Sequence, residues 1–191
     1  MPEVRVGCER GGYEMNVMLD LETMGSGSHA AIVAIGAVEF NPMAMTLGRK
    51  FYCLVDLESA VKEGGQMDAG TVIWWLRQGD AARQELAKGG APMIQALRDF
   101  AFWLARSASD PIVWGNGSDF DNVILSSAYR RAGMPVPWRY SSSRCYRTVK
   151  NMRKDIVLER AGTHHNALAD AESQAVHLMA ILKATKGTEA T

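Results

Sequence analysis

Nowhere in its 191 residues does this sequence hold a run of about eighteen uncharged apolar residues, which excludes a membrane-spanning helix. The start, MPEVRVGCERGGYEMNV, lacks the apolar stretch of a secretory signal and carries Glu3, Arg5, Glu9 and Arg10 instead. Cysteine is scarce. Cys8, Cys53 and Cys145 are odd in number and widely spaced, so they read as reduced thiols of a cytosolic protein rather than a disulfide framework. With the 4 histidines they form no zinc pattern either. Excess charge of one sign is also missing: Lys plus Arg is 21 and Asp plus Glu is 21. Net charge therefore gives no global pull toward nucleic acid, although cleft carboxylates can offset a basic patch in a neutral nucleic-acid enzyme.

What is present is apolar material, 47% of residues against 22% charged, enough for the core of one compact domain. Residues 1–14 read as an N-terminal extension closed by Gly11-Gly12, with Met15 a candidate natural start. The domain proper then spans 15–185, and 186–191 form a tail. Asn16–Leu21, Ile32–Phe40 and Lys50–Val55 are apolar and β-prone, with Gly25, Gly27, Asn41 and Pro42 as turns between them, which predicts an antiparallel meander. Helical periodicity follows over Ala69–Gln78 and Ala91–Arg106, the latter with Met93, Ile94, Leu97, Phe100, Ala101 and Leu104 on one face. Pro111–Gly115 reads as a strand. A helix from about Ser118 to Ala132 follows, N-capped by Ser118 and stopped by Gly133 and Pro135. A last helix over about Asn166–Lys183 turns Leu168, Ala171, Ala175, Met179 and Leu182 to the core. These elements describe an α/β domain on one central mixed sheet.

Three segments carry chemistry. The first strand ends in Asp20-Leu21-Glu22-Thr23, and strand alternation puts Asp20 and Glu22 on one face with Leu21 on the other. Two neighbouring carboxylates repel unless a cation sits between them, and magnesium or manganese suits such oxygen ligands. In the segment Trp114–Asn122, Asp121 falls in the first turn of a helix, where the helix dipole alone also favours an acid. Asp119 is the competing residue, and reads as an N-terminal helix charge. In the third segment, His165 precedes the last helix on a loop and Asp170 lies off that helix's apolar stripe. A loop histidine titrating near neutrality suits a general base; His164 is its alternative.

This series, D-x-E at a strand end, F-D at a helix start and H-x4-D entering the last helix, resembles the DEDDh 3′–5′ exonucleases over roughly residues 16–182. Ala31–Val38 resembles the strand that follows D-x-E-T in that superfamily. Asp68–Glu85, with Trp74-Trp75 and Ala82-Arg83, looks like its phage DexA-type and mycobacterial-type exoribonuclease branch. One departure is Gly115, which stands where the family often has histidine, with one extra residue before Phe120. The resemblance implies an RNase H-like fold, a five-stranded mixed sheet flanked by helices. It also implies two ions, Mg²⁺ or Mn²⁺, about 3.5–4 Å apart. Asp20 would bridge both, Glu22 and Asp170 complete the first, and Asp121 support the second, if through water. His165 would take the proton of the attacking water, and nucleoside 5′-monophosphates would leave from single-stranded DNA or RNA 3′ ends.

Substrate contacts expected on the same grounds are Leu21, Thr23, Met24 and Asn116, with core packing the competing role for Leu21. Helix phase groups Val72, Trp75 and Leu76 as core and leaves Trp74 outside. There it would stack a base, for about 1–3 kcal/mol, or pack against a partner subunit in a homodimer. Arg139, Arg144, Arg147, Lys150, Arg153 and Lys154 form an acid-free basic stretch with Tyr140 and Tyr146, either a phosphate-binding surface or a solvated face. The alternative functions are a small-oligonucleotide hydrolase on the same site, an RNase H-like endonuclease and a catalytically silent nucleic-acid-binding module. The expected compartment is cytoplasmic.

Overall fold

The computed structural model describes residues 15–107, 110–160 and 165–188. The expected 1–14 extension, His164 and the end of the expected tail lie outside them. Strands β1 (Asn16–Thr23), β2 (Ile32–Asn41) and β3 (Thr46–Leu54) form the antiparallel meander. Parallel strands β4 (Ile112–Gly115) and β5 (Ser143–Cys145) extend it on the β1 side into a five-stranded sheet of order β3-β2-β1-β4-β5. Parallel neighbours need a crossover. The helices α1 (Leu57–Lys62), α2 (Ala69–Leu76), α3 (Asp80–Ala87) and α4 (Met93–Ala105) lie before β4, and α5 (Asp121–Arg131) lies between β4 and β5. The helices α6 (Tyr146–Met152) and α7 (Ala167–Thr188) complete the fold.

Strand alternation divides the core in two. Val17, Leu19 and Leu21 of β1 face one way, into a cluster with Leu97, Phe100 and Leu104 of α4 and Ile124 and Leu125 of α5. Met18 faces the other way, into a cluster with Val38, Phe40 and Ala171, Ala175, Leu178 and Met179 of α7. Continuing that phase, Asp20 and Glu22 emerge on the α7 side, where the apolar stripe of β1 runs out. At that end Glu22 pairs with Ala34 and Thr23 with Ile32, so Val33 is left over as a bulge that turns the end of the strand.

Gly36, opposite Asp20 on β2, explains why α7 reaches this point. A Cβ there would lie 2.2 Å from the carbonyl carbon of Ala167 and 2.3 Å from the amide of Leu168. The first turn of α7 thus rests directly on the strand backbone. Asn166 caps it, its Oδ1 accepting from the amide of Ala169 at 3.1 Å.

Several local expectations change. Ser118 does not cap α5, which begins at Asp121 after Phe120 without a side-chain cap bond. The loop amide of Asn116 is instead taken by the Asp121 carboxylate. Gly133, at φ +65°, does end α5 in the left-handed conformation. Leu76 is 60% exposed rather than core, because α2 ends at that residue and only its Trp75 side meets the sheet. Tyr146 is fully buried, not part of a basic surface. Its hydroxyl lies 2.6 Å from Nδ1 of His177, whose Nε2 is 2.8 Å from the carbonyl of Ile156. That carbonyl can only accept, so Nε2 carries the proton and Nδ1 accepts from the tyrosine. Among the described residues no helix is long and apolar enough to cross a membrane.

Candidate active site

A cleft of about 510 Å³ opens where β1 ends, walled by that strand, α2, the β4–α5 loop and the start of α7. Asp20, Glu22, His165 and Asp170 all line it, with Leu21, Thr23, Trp74 and Asn116. Asp121 and Met24 stand behind the wall: Asp121 is 1% exposed, and Met24 packs against the core. Leu21 does both, its side chain 4% exposed in the core while the residue forms part of the wall.

The acids are held by different devices. Asp20 and Glu22 follow from strand phase, and Asp170 from its place in the first turn of α7. Asp121 completes the sheet. β4 stops at Gly115, so Leu21, beyond the last β1–β4 pair, has no strand partner on that side. Oδ1 of Asp121 accepts its N–H at 3.1 Å, and Oδ2 accepts from Asn116 at 2.6 Å. Gly115 makes this possible, since a Cβ there would lie 2.7 Å from Oδ1 of Asn122 and 3.0 Å from Cβ of Asp121. Glycine at position 115 therefore seats the helix start against the strand end.

Electrostatics set this cluster apart from a solvated acidic edge. Burial, reinforced by the Asp121 and Glu22 carboxylates, holds the Asp20 proton well above the carboxylate range, despite an amide bond that favours the charged form. Burial together with Asp170 and Asp121 pushes Glu22 up to about 8. Asp121 rises to about 6 through burial, moderated by the Asn116 and Leu21 amides and the charge of Arg147. One atom each of Glu22, His165 and Asp170 lie within 4.8 Å of one another. This compact set of desolvated oxygen donors with one imidazole suits hard divalent cations. Buried Oε1 of Gln174 has no hydrogen-bond partner among the described residues.

His165 occupies the left-handed region at φ +62°, a conformation that costs energy and clusters at functional sites. Its ring meets the Trp74 ring edge-on at 4.8 Å and that of Trp75 at 5.9 Å. Trp75 is itself fixed by an Nε1 bond to the carbonyl of Thr23 at 2.9 Å, tying α2 to the end of β1. Trp74, 43% exposed, keeps a free face toward the cleft.

Gln174, Arg160 and Asp68 are among the cleft residues to which the sequence assigned no site role. Gln174 donates from Nε2 to Oδ1 of Asp20 at 2.7 Å. It lies one helical turn beyond Asp170, so following the polar stripe of α7 past the acid would have found it. Arg160 donates to Oδ1 of Asp170 at 2.8 Å from an irregular segment with no periodic signal. Asp68 caps α2 through the amide of Thr71 at 2.7 Å and accepts from the amide of Ser26 at 2.8 Å, so one carboxylate joins two walls. The run before α2 carries an N-cap signature that would have marked it.

Sheet order, helix placement and a carboxylate cluster at the end of the central strand define an RNase H-like nuclease domain. The chain belongs to the family described as the 3′–5′ exoribonuclease Rv2179c-like domain, whose model matches residues 15–182. It is 27% identical over 126 residues to the exodeoxyribonuclease of Enterobacteria phage T4, covering 59% of this chain and 55% of that one. The chain thus spans about half the length of this curated relative. In fold it is similar to the nuclease domain of 3′hExo, a DEDDh family member bound to rAMP, with a TM-score of 0.64 at 13% identity over 90% of this chain and 93% of that one. It is also similar to E. coli exonuclease I in complex with a dT13 oligonucleotide, with a TM-score of 0.57 at 11% identity over 91% and 41% of the two chains.

Proposed function

We propose that this protein removes nucleotides one at a time from the 3′ end of single-stranded nucleic acid, releasing nucleoside 5′-monophosphates. The carrying observation is the convergence of Asp20, Glu22 and Asp170 in one cleft, two of them with protonation pushed far up by burial and mutual repulsion. Asp20, Glu22 and Asp170 would hold divalent cations, Mg²⁺ or Mn²⁺, with Asp121 supporting from behind. When bound, such ions polarise the phosphodiester and lower the pKa of water.

The side chains supply the rest. His165 accepts the proton of the attacking water, its ring oriented by the edge of Trp74. Trp74 offers its exposed face to the terminal base, and Thr23 and the Leu21 wall meet the terminal nucleotide. Thr23 is fixed for this by donating its hydroxyl to the carbonyl of Gly25 at 2.7 Å. Asn116, on the β4–α5 loop, faces the same cleft from the opposite chain segment.

The test uses 5′-labelled single-stranded DNA and RNA with Mg²⁺ or Mn²⁺, beside Asp20→Ala. A ladder of single-nucleotide steps from the 3′ end is expected, abolished by EDTA and by the substitution. Internal cuts would indicate an endonuclease, and activity indifferent to Asp20→Ala would discard the site.

A further inference from the structure

We infer that a second cavity, between α5 and the β5 strand, holds the backbone of the nucleic-acid strand upstream of the nucleotide being removed. It is an open groove of about 370 Å³. Arg130 and Arg144 stand in its wall, and the wall carries no carboxylate. Trp138 and Tyr140 contribute aromatic surface, and Ser126 and Ser143 hydroxyls. A polyanion with exposed bases is the occupant that this combination fits.

Its position relative to the candidate active site gives the direction. Asn116 lines the first cleft and the next residue, Gly117, lines the second cavity, so the two adjoin across the β4–α5 loop. Arg147 marks the junction, its Nε 3.4 Å from Oδ1 of Asn116. A strand whose last nucleotide lies against Trp74 and Thr23 would leave the first cleft past Asn116 and Arg147. It would then enter the cavity that Arg130 and Arg144 line. The inference rests on the exonuclease reading of the first cleft, and adds that the substrate is a strand longer than a dinucleotide.

The charge in this cavity is available. Among the described residues neither Arg130 nor Arg144 forms an ion pair, whereas the nearby Arg139 is bound to Asp110 at 3.2 Å. Arg144 donates from Nη1 to the carbonyls of Ser141 at 2.6 Å and Ser143 at 2.9 Å, which orient the guanidinium without neutralising it. Tyr140 is 93% exposed, an aromatic face left uncovered among the described residues. A solvated basic helix face would need neither a concave volume nor an uncovered ring beside it.

Binding of fluorescein-labelled single strands of about twelve nucleotides, and of a labelled dinucleotide, is measured by anisotropy in the Asp20→Asn background. Arg130→Ala with Arg144→Ala should weaken the longer strand by about tenfold or more at low salt, and flatten its log Kd against log salt slope by about 0.7 per arginine. Tyr140→Ala should weaken it by about 5- to 150-fold. Arg144→Lys should retain most of the salt dependence, which guards against a folding defect. The dinucleotide should bind unchanged throughout. Equal weakening of both ligands, or an unchanged salt slope, would overturn the inference. A wild-type protein that binds the long strand through these residues but hydrolyses nothing would remove the exonuclease reading instead.

Discussion

Gln174 and Asp20, separated by most of the chain, meet through a 2.7 Å bond from the Gln174 amide to the Asp20 carboxylate. The bond favours the charged form of an acid whose pKa is raised by burial and by the Asp121, Glu22 and Asp170 carboxylates. It works against the proton in the same direction as a cation would.

Gln174→Leu should therefore weaken Mn²⁺ binding at neutral pH. A hydrogen bond to a charged group contributes about 1.5–3 kcal/mol, so the loss should be about 10- to 100-fold, read by titration calorimetry. Unchanged affinity would show that Asp20 does not ligate.

The pH dependence has a definite sign. The carboxyl of Glu22 is raised from 4.5 to about 8, so between those values the folded, metal-free protein binds more protons than the unfolded chain. Its stability in EDTA should fall as pH rises through that window. Melting temperatures across it, with and without Mg²⁺, provide the check. Mg²⁺ should stabilise most at the alkaline end, because cations and protons compete for the same oxygens.

His165→Ala should lower hydrolysis by about 10²- to 10⁴-fold while leaving metal affinity nearly intact. Its ring lies close enough to Glu22 and Asp170 to be a ligand instead. Parallel loss of Mn²⁺ affinity and turnover would assign it that role.

Gly36→Ala should cost at least about 1–3 kcal/mol in urea denaturation, since the added methyl meets the backbone of α7 rather than a movable side chain. The same shift would carry Asp170 and Gln174 away from Asp20, so Mn²⁺ affinity should drop with stability. A variant of full stability would mean that α7 can slide freely on the sheet.

Periodicity explains what was legible. Asp20, Glu22 and Asp170 follow from counting by two along a strand and by 3.6 along a helix, and the structure brings all three to one cleft. The three-stranded meander and the long helices have the same origin. The fifth strand followed from resemblance, because the three residues of β5 are too few to show alternation. The short helices α1, α3 and α6 are set by packing, with side-chain caps on α1 and α6, rather than by a long apolar stripe. Asp121 lay in the right turn for a reason that no local pattern encodes, since its partner Leu21 is 100 positions away.

Asp121 also changes how relatives of this chain should be read. Its carboxylate takes the place of the backbone that β4 fails to supply, so a descendant that had lost all nuclease activity would still need it to close the sheet. Asp20 and Glu22 are instead desolvated and repelled by neighbouring carboxylates, a burden on folding that bound cations would relieve. In a divergent sequence the last acid to disappear would report an intact architecture, while the paired acids on the first strand would report continued selection for chemistry.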